Sequence, residues 1–407
     1  MNSKLFILCL FTVFCFIKMS AQTQNIGNEF QNNKITVGAA RMKAYIKKLK
    51  GKNVGLVINQ TSVIGKNNTF LVDTLLASGI KVTAIFAPEH GFRGKADAGE
   101  HFDNQTDSAT GVKIISIYGK KYAPDSSDLK DIDVLIFDIQ DVGTRFYTYI
   151  STLQYVMEAA AVNKKPLIIL DRPNPNGHYV DGPILDTAYK SFVGMQAVPI
   201  VYGMTIGEYA LMLNGEKLLK NGIQADIFVV KCAGYNHKSF YSLPVKPSPN
   251  IPNMHAVYLY PSICLFEGTN ISLGRGTDKQ FQIYGSPRLF SDKFTFRFTP
   301  RPNEGAKKPP LENTLCNGID LSVLPIKNLQ QQRFINLSYI TEAYADYAEK
   351  DTFFMKSNFF EKLAGIKLLR EQIKSGENPE NIRAQWQSGI TNFKIVRKKY
   401  LLYRDFE

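Results

Sequence analysis

Residues 134–177 read VLIFDIQDVGTRFYTYISTLQYVMEAAAVNKKPLIILDRPNPNG. Val134–Asp138 and Leu167–Asp171 are short apolar runs, and between them Phe146–Asn163 carries apolar residues three and four apart. A strand, an amphipathic helix and a second strand in this order predict a parallel βαβ unit. Its strands are apolar throughout because helices cover both faces of such a sheet. The pattern extends in both directions. Val54–Asn59, Val82–Pro88, Lys113–Tyr118 and Asp226–Lys231 are further strand candidates, with helical stretches at Phe70–Ala77 and Ile206–Leu219. Repeated units of this kind predict an α/β fold with a Rossmann-like, doubly wound, mostly parallel sheet.

The rest of the chain is organised differently. Four prolines between Pro244 and Pro252 cannot continue a helix or a central strand, so this stretch reads as an ordered connector. Beyond it lie an apolar segment at Val257–Phe266, a strand at Phe294–Phe298, and helices at Tyr339–Glu349, Phe359–Lys374 and Pro379–Gln387. A chain of 407 residues exceeds what one core usually serves. The expected division is an N-terminal catalytic domain over residues 22–243 and a smaller C-terminal α/β domain over 244–407 that completes a cleft between them.

Residues 1–21 are expected to be a signal peptide. Lys4 precedes an almost unbroken apolar run from Leu5 to Ile17, and Ser20-Ala-Gln22 suits cleavage after Ala21. The expected location is therefore periplasmic or secreted. No later segment approaches the ~20 apolar residues of a transmembrane helix. Loss of Lys4 and Lys18 lowers the formal charge from +13 to +11, which favours anionic envelope polymers as partners or simply solvates a lysine-rich surface. No basic stripe interleaved with aromatics suggests nucleic acid. Cys232, Cys264 and Cys316 would remain, an odd and sparse set that allows at most one disulfide and contains no CxxC for a zinc ribbon.

Nucleotide chemistry finds no support, because neither GxGxxG after the first strand nor GxxxxGK[ST] occurs. A GxSxG nucleophile elbow is missing too. No cofactor is implied, and the histidines show no HExxH or other paired metal-ligand spacing. The informative residues sit where strands end: residues 87–94 (APEHGFRG), 137–149 (FDIQDVGTRFYTY) and 170–177 (LDRPNPNG). Such loops gather at the carboxyl edge of a parallel sheet, where open α/β folds bind ligands. They would bring Glu89, His90, Arg93, Asp138, Asp141, Arg145, Asp171, Arg172 and Asn174 towards one cleft. Glu89 lies between Phe86 and Phe92, and partial burial by such neighbours would raise a carboxyl pKa towards that of a general acid. Farther on, residues 266–277 (FEGTNISLGRGT) pack Glu267, Asn270, Arg275 and Thr277 among three glycines, a composition suited to a many-hydroxyl sugar or to a tight turn.

Taken together, these three loops, PNIP at 249–252, FEGTNISLGRGT at 266–277, WQ at 386–387 and RKKYLLY at 397–403 resemble the NamZ-type exo-β-N-acetylmuramidases, glycoside hydrolase family 171. The resemblance spans nearly all of the chain after residue 21. It implies release of N-acetylmuramic acid from the non-reducing end of peptidoglycan fragments. It also implies a catalytic glutamate at Glu89, with His90, Arg93, Asp141, Arg145, Tyr147, Glu267, Asn270 and Arg275 as sugar contacts. Glycoside hydrolysis normally employs a second carboxyl group. Glu267 and Asp141 compete for that role, and the substrate's 2-acetamido group is a third option. Arg145 or Arg275 would pair with the lactyl carboxylate of muramic acid. The alternative is an exported carbohydrate-binding protein without turnover.

Overall fold

A computed structural model describes residues 35–92, 104–290 and 292–407, and in it all six predicted strands of the first half form. They are β1 (Asn53–Ile58), β2 (Lys81–Ala87), β4 (Lys113–Ser116), β5 (Val134–Asp138), β6 (Leu167–Leu170) and β7 (Ile227–Val230). A two-residue strand not foreseen, β3 (Gln105–Thr106), pairs antiparallel with β4 at one edge. The sheet order is β3-β4-β2-β1-β5-β6-β7, and every other pair is parallel. From β1 the chain steps outward to β2 and β4, then returns to β5 on the opposite side. Loops leaving the strands on either side of such a reversal splay apart and open a crevice at the carboxyl edge.

Alternation along each strand builds two cores. On β5, Leu135 and Phe137 enter one cluster while Val134 and Ile136 enter the other; on β1, Val57 faces the first and Leu56 and Ile58 the second. Helices cover both faces, as the unbroken apolar strands require. Three match the predicted stretches: α1 (Leu71–Ala77), α2 (Tyr149–Val162) and α3 (Ile206–Gly215). Helix α3 starts at a capping box in which Thr205 and Glu208 satisfy each other's amides. Glu208 is also bound by His237 and by the amide of Leu402, which tethers the C-terminal tail.

After the proline-rich connector, Asn253 caps α4 (Met254–Ile263), whose last turn passes into a 3-10 segment Cys264–Gly268. A small antiparallel sheet follows, with β8 (Ile283–Ser286), β9 (Phe296–Phe298) and β10 (Cys316–Asp320) in the order β8-β10-β9. Only β9 was legible in advance. The C-terminal lobe ends in helices that include α5 (Ser338–Asp346), α6 (Phe359–Ala364), α7 (Leu368–Ser375) and α8 (Gln387–Lys398). The single helix predicted over Phe359–Lys374 is broken at Gly365, where φ is +84°. A Cβ at that position would lie 2.4 Å from the guanidinium of Arg145, so glycine permits the close approach described below.

The described residues form one compact unit, and the first core cluster runs through both halves, from Val57 through Phe266 and Tyr284 to Phe393. Cys232, Cys264 and Cys316 are buried free thiols, so the single disulfide that the sequence allowed does not form. Among the described residues no group of three or more His, Cys, Asp or Glu side chains could hold a metal ion, and no helix is long and apolar enough to cross a membrane. The expected signal peptide and Arg93 lie outside the described residues.

Candidate active site

A cavity of about 500 Å³ opens beyond the carboxyl ends of β2, β4 and β5, and residues from both halves of the chain line it. β2 ends at Ala87, and the chain reverses at once. The Gly91 amide donates to the Pro88 carbonyl at 2.9 Å, and His90 and Gly91 both adopt left-handed backbone conformations (φ +69° and +74°). For a histidine this costs of order 1 kcal/mol. The result is a tight turn that leaves half-buried Glu89 and buried His90 on the cavity wall.

Glu89 is held from two sides. The Thr148 hydroxyl, at the N-terminal end of α2, donates to Oε2 at 2.8 Å, and the Tyr118 hydroxyl just beyond β4 also donates to the carboxylate. The Tyr149 hydroxyl reaches the Glu89 main-chain oxygen at 3.4 Å. Burial first, and then the nearby Glu89 charge, raise the phenols of Tyr118 and Tyr149, so both remain protonated donors. The expected apolar neighbours are different ones. Phe86 and Phe92 are buried in separate core clusters and line no part of the cavity; tyrosines and Thr148 surround Glu89 instead. Strand alternation explains this for Phe86, which points into the sheet's own core.

From Glu89 an aromatic wall leads to the second acidic group. Tyr149 meets Tyr147 edge-on at 4.9 Å, Tyr147 meets Tyr260 at 6.0 Å, Tyr260 meets Phe281 at 5.0 Å, and the Arg275 guanidinium lies 5.1 Å over Phe281. Tyr147 is fixed by donating to the Pro247 carbonyl at 2.8 Å. Arg275 donates through Nε (3.1 Å) and Nη2 (2.5 Å) to a single oxygen of Glu267, and each side chain is about one-fifth exposed. The connector contributes Asn250. Its amide nitrogen donates to Gly305 at 2.6 Å, and its Oδ1 is buried with no hydrogen-bond partner among the described residues.

Of the residues singled out from sequence, Glu89, His90, Tyr147, Glu267 and Arg275 line this one cavity. Asp141, Arg145, Asp171, Arg172, Asn174, Asn270 and Thr277 do not. Asp141 is buried beneath the loop, accepting from Tyr202 and from the Gly143 amide at 2.7 Å, and burial raises its carboxyl to about 6. Arg145 donates to four main-chain carbonyls: Pro183 (2.9 Å), Val198 (2.7 Å), and Leu363 (2.9 Å) and Ala364 (2.7 Å) at the end of α6. Desolvation lowers its pKa to about 9. Sealed in this way, it cannot meet a lactyl carboxylate. Arg172 forms a buried bidentate pair with Asp138 at 2.6 and 2.9 Å. Asp171 accepts from Thr205, Gly207 and Tyr403, and burial raises it to about 6. Asn174 links Met204 to Asn176, Asn270 holds the carbonyl of Thr352, and Thr277 closes its own turn onto Gly274. Polar-rich loops at a sheet edge thus serve two purposes, and the inner layer of each is structural.

Sequence reasoning missed Tyr118, Thr148, Asn250, Tyr260 and Phe281. Tyr118 ends a predicted strand and Asn250 belongs to the PNIP segment, so each carried a signal. Tyr260 lies within the apolar segment Val257–Phe266 and Phe281 outside any motif, so neither carried a signal of its place on the cavity wall.

Two family models match the chain. "Exo-beta-N-acetylmuramidase NamZ, N-terminal" covers residues 54–255, and "Exo-beta-N-acetylmuramidase NamZ, C-terminal" covers residues 258–403. A curated relative, the peptidoglycan beta-N-acetylmuramidase NamZ of Bacillus subtilis (strain 168), is 42% identical over 383 residues, which is 88% of this chain and 89% of the relative. Two crystal structures of DUF1343 family proteins from Bacteroides fragilis NCTC 9343 have the same architecture. One is 48% identical with a TM-score of 0.84, the other 32% identical with a TM-score of 0.76; each match covers 91% of this chain and 99% of that structure.

Proposed function

Because this chain belongs to the NamZ exo-β-N-acetylmuramidase family, we propose that it releases N-acetylmuramic acid from the non-reducing ends of peptidoglycan fragments with Glu89 as its general acid. One observation carries the assignment: half-buried Glu89 and a second carboxylate, Glu267, line the same cavity. Glu89 protonates the leaving oxygen. Of the two candidates for the second carboxyl, only Glu267 lines the cavity. Glu267 either attacks the anomeric carbon or activates water itself, or it orients the substrate's own acetamido group. Arg275, on the cavity surface, pairs with the lactyl carboxylate. Residues 1–21 direct export to the periplasm or beyond, and the domains divide at residues 243 and 244.

Glu89→Gln tests the central step, since it keeps the shape and removes the transferable proton. Activity on a muramic-acid-capped disaccharide is expected to fall about 10²–10⁴-fold. A muramide with an activated phenolic leaving group needs little protonation, so its loss is smaller. Near-wild-type turnover of the disaccharide by folded Glu89→Gln would overturn the assignment, as would equal losses on both substrates.

A further inference from the structure

A second, shallower groove of about 420 Å³ adjoins the cavity, and Phe192 belongs to the wall of both. The rings at this junction are continuous. Tyr118, which hydrogen-bonds Glu89, lies 5.9 Å from Phe192, and Tyr122 lies 4.6 Å from it. Tyr155, on the outer face of α2 in the groove, stacks on Tyr122 at 5.8 Å and on Phe192 at 6.3 Å. The floor is fixed by polar bonds. Ser151 donates to the Phe192 carbonyl at 2.7 Å, and Gln196 bridges Gln154 and the Leu218 carbonyl. Three charged residues line the groove. Glu158 accepts from Gln154 and from the Lys220 amide, whereas Lys190 and Lys220 are exposed and form no salt bridge with any described residue, leaving a net positive charge.

Contacts connect the site as a chain of neighbours. Arg275 and Glu267 stand at one end, Glu89 in the middle, and the Tyr118, Tyr122 and Phe192 rings lead out to Tyr155. A general acid lies beside the oxygen of the bond it cleaves. If the Arg275 end receives the released muramic acid, the leaving sugar must lie towards Phe192. Building on the function proposed above, we propose that the groove is the leaving-group extension of the cavity. It receives the saccharide beyond the cleaved bond, with Tyr122, Phe192 and Tyr155 stacking on sugar faces. Lys190 and Lys220 pair with the carboxylate of the next lactyl-bearing unit.

The test compares two substrates: the capped disaccharide, which ends before the groove, and the alternating tetrasaccharide, whose third unit carries a second lactyl carboxylate. Wild-type kcat/KM is expected to be roughly tenfold higher on the tetrasaccharide, an advantage that shrinks with added salt. Tyr155→Ala is expected to reduce the advantage about three- to tenfold. The exposed charge reversal Lys190→Glu with Lys220→Glu abolishes it, and both variants retain the wild-type rate on the disaccharide. Equal wild-type kcat/KM on the two substrates overturns the proposal. So does persistence of the advantage in the charge-reversed protein, or loss of both rates alike. If the wild-type protein turns over neither substrate, the muramidase function itself fails and the groove's role falls with it.

Discussion

Arg145 and Arg275 show how surroundings assign a side chain its task. Both are arginines in glycine-containing polar loops, and the sequence offers either as the partner of a carboxylate. The fold buries Arg145 among four carbonyls, two of them at the C-terminal end of α6, where the helix dipole also favours a cation. Arg275 lies on the cavity wall beside Glu267. Their substitutions should therefore part company. Arg145→Met leaves buried carbonyls unmet and is expected to cost about 3 kcal/mol, read from the midpoint of urea unfolding, with KM of the remaining folded enzyme nearly unchanged. Arg275→Gln should leave stability close to wild type and lower kcat/KM about 10–100-fold on a muramide. A glucosaminide lacking the lactyl group should suffer far less. Equal effects on the two sugars would remove Arg275 from lactyl recognition. Glu89 was legible because it follows a strand, whereas the burial of Asp141 and Arg145 depends on Tyr202 and α6, which are distant in sequence and carry no local sign of contact.

The six long strands of the large sheet were legible to within two residues at each end, because an apolar run bounded by polar turns reads as a strand when both faces are covered. β5 was predicted and found at Val134–Asp138. The break between α6 and α7 was not legible. Local periodicity runs through Gly365, and only the guanidinium packed against it explains the left-handed turn. β8 and β10 escaped because glycines interrupt IYGS and CNGID, so neither presents an apolar run. The loops after β5 and β6 carry a pH signature of their own. Burial raises Asp141 and Asp171 from 3.8 to about 6. Between about pH 4 and 6 the folded chain therefore holds more protons at these two sites than the unfolded one. Their contribution to stability falls as pH rises through that window, by up to roughly 3 kcal/mol for each, and is flat above it. Asp141→Asn, which cannot ionise, is expected to flatten part of this slope in denaturant midpoints measured from pH 4 to 7. An unchanged slope would contradict the buried-acid description of that loop.

The two halves of the chain share one core, and the cavity is built from both: Glu89 and Tyr118 follow strands of the large sheet, while Glu267 and Arg275 come from the segment after α4. Neither half alone supplies both carboxyl groups. This is why fold class was readable from the first half, but the pairing of Glu89 with Glu267 awaited the packing of the second. A cavity of about 500 Å³ lies in the range that encloses a small ligand. Exo action follows if it admits a glycan only by its terminal muramic acid unit. The most direct measurement follows products over time from a soluble, uncross-linked glycan strand with muramic acid at its non-reducing end. Free N-acetylmuramic acid should appear first, from that end alone, with no other new chain ends, and capping the terminal unit should stop the reaction. Early internal fragments, or undiminished cleavage of the capped strand, would contradict an exo-acting muramidase.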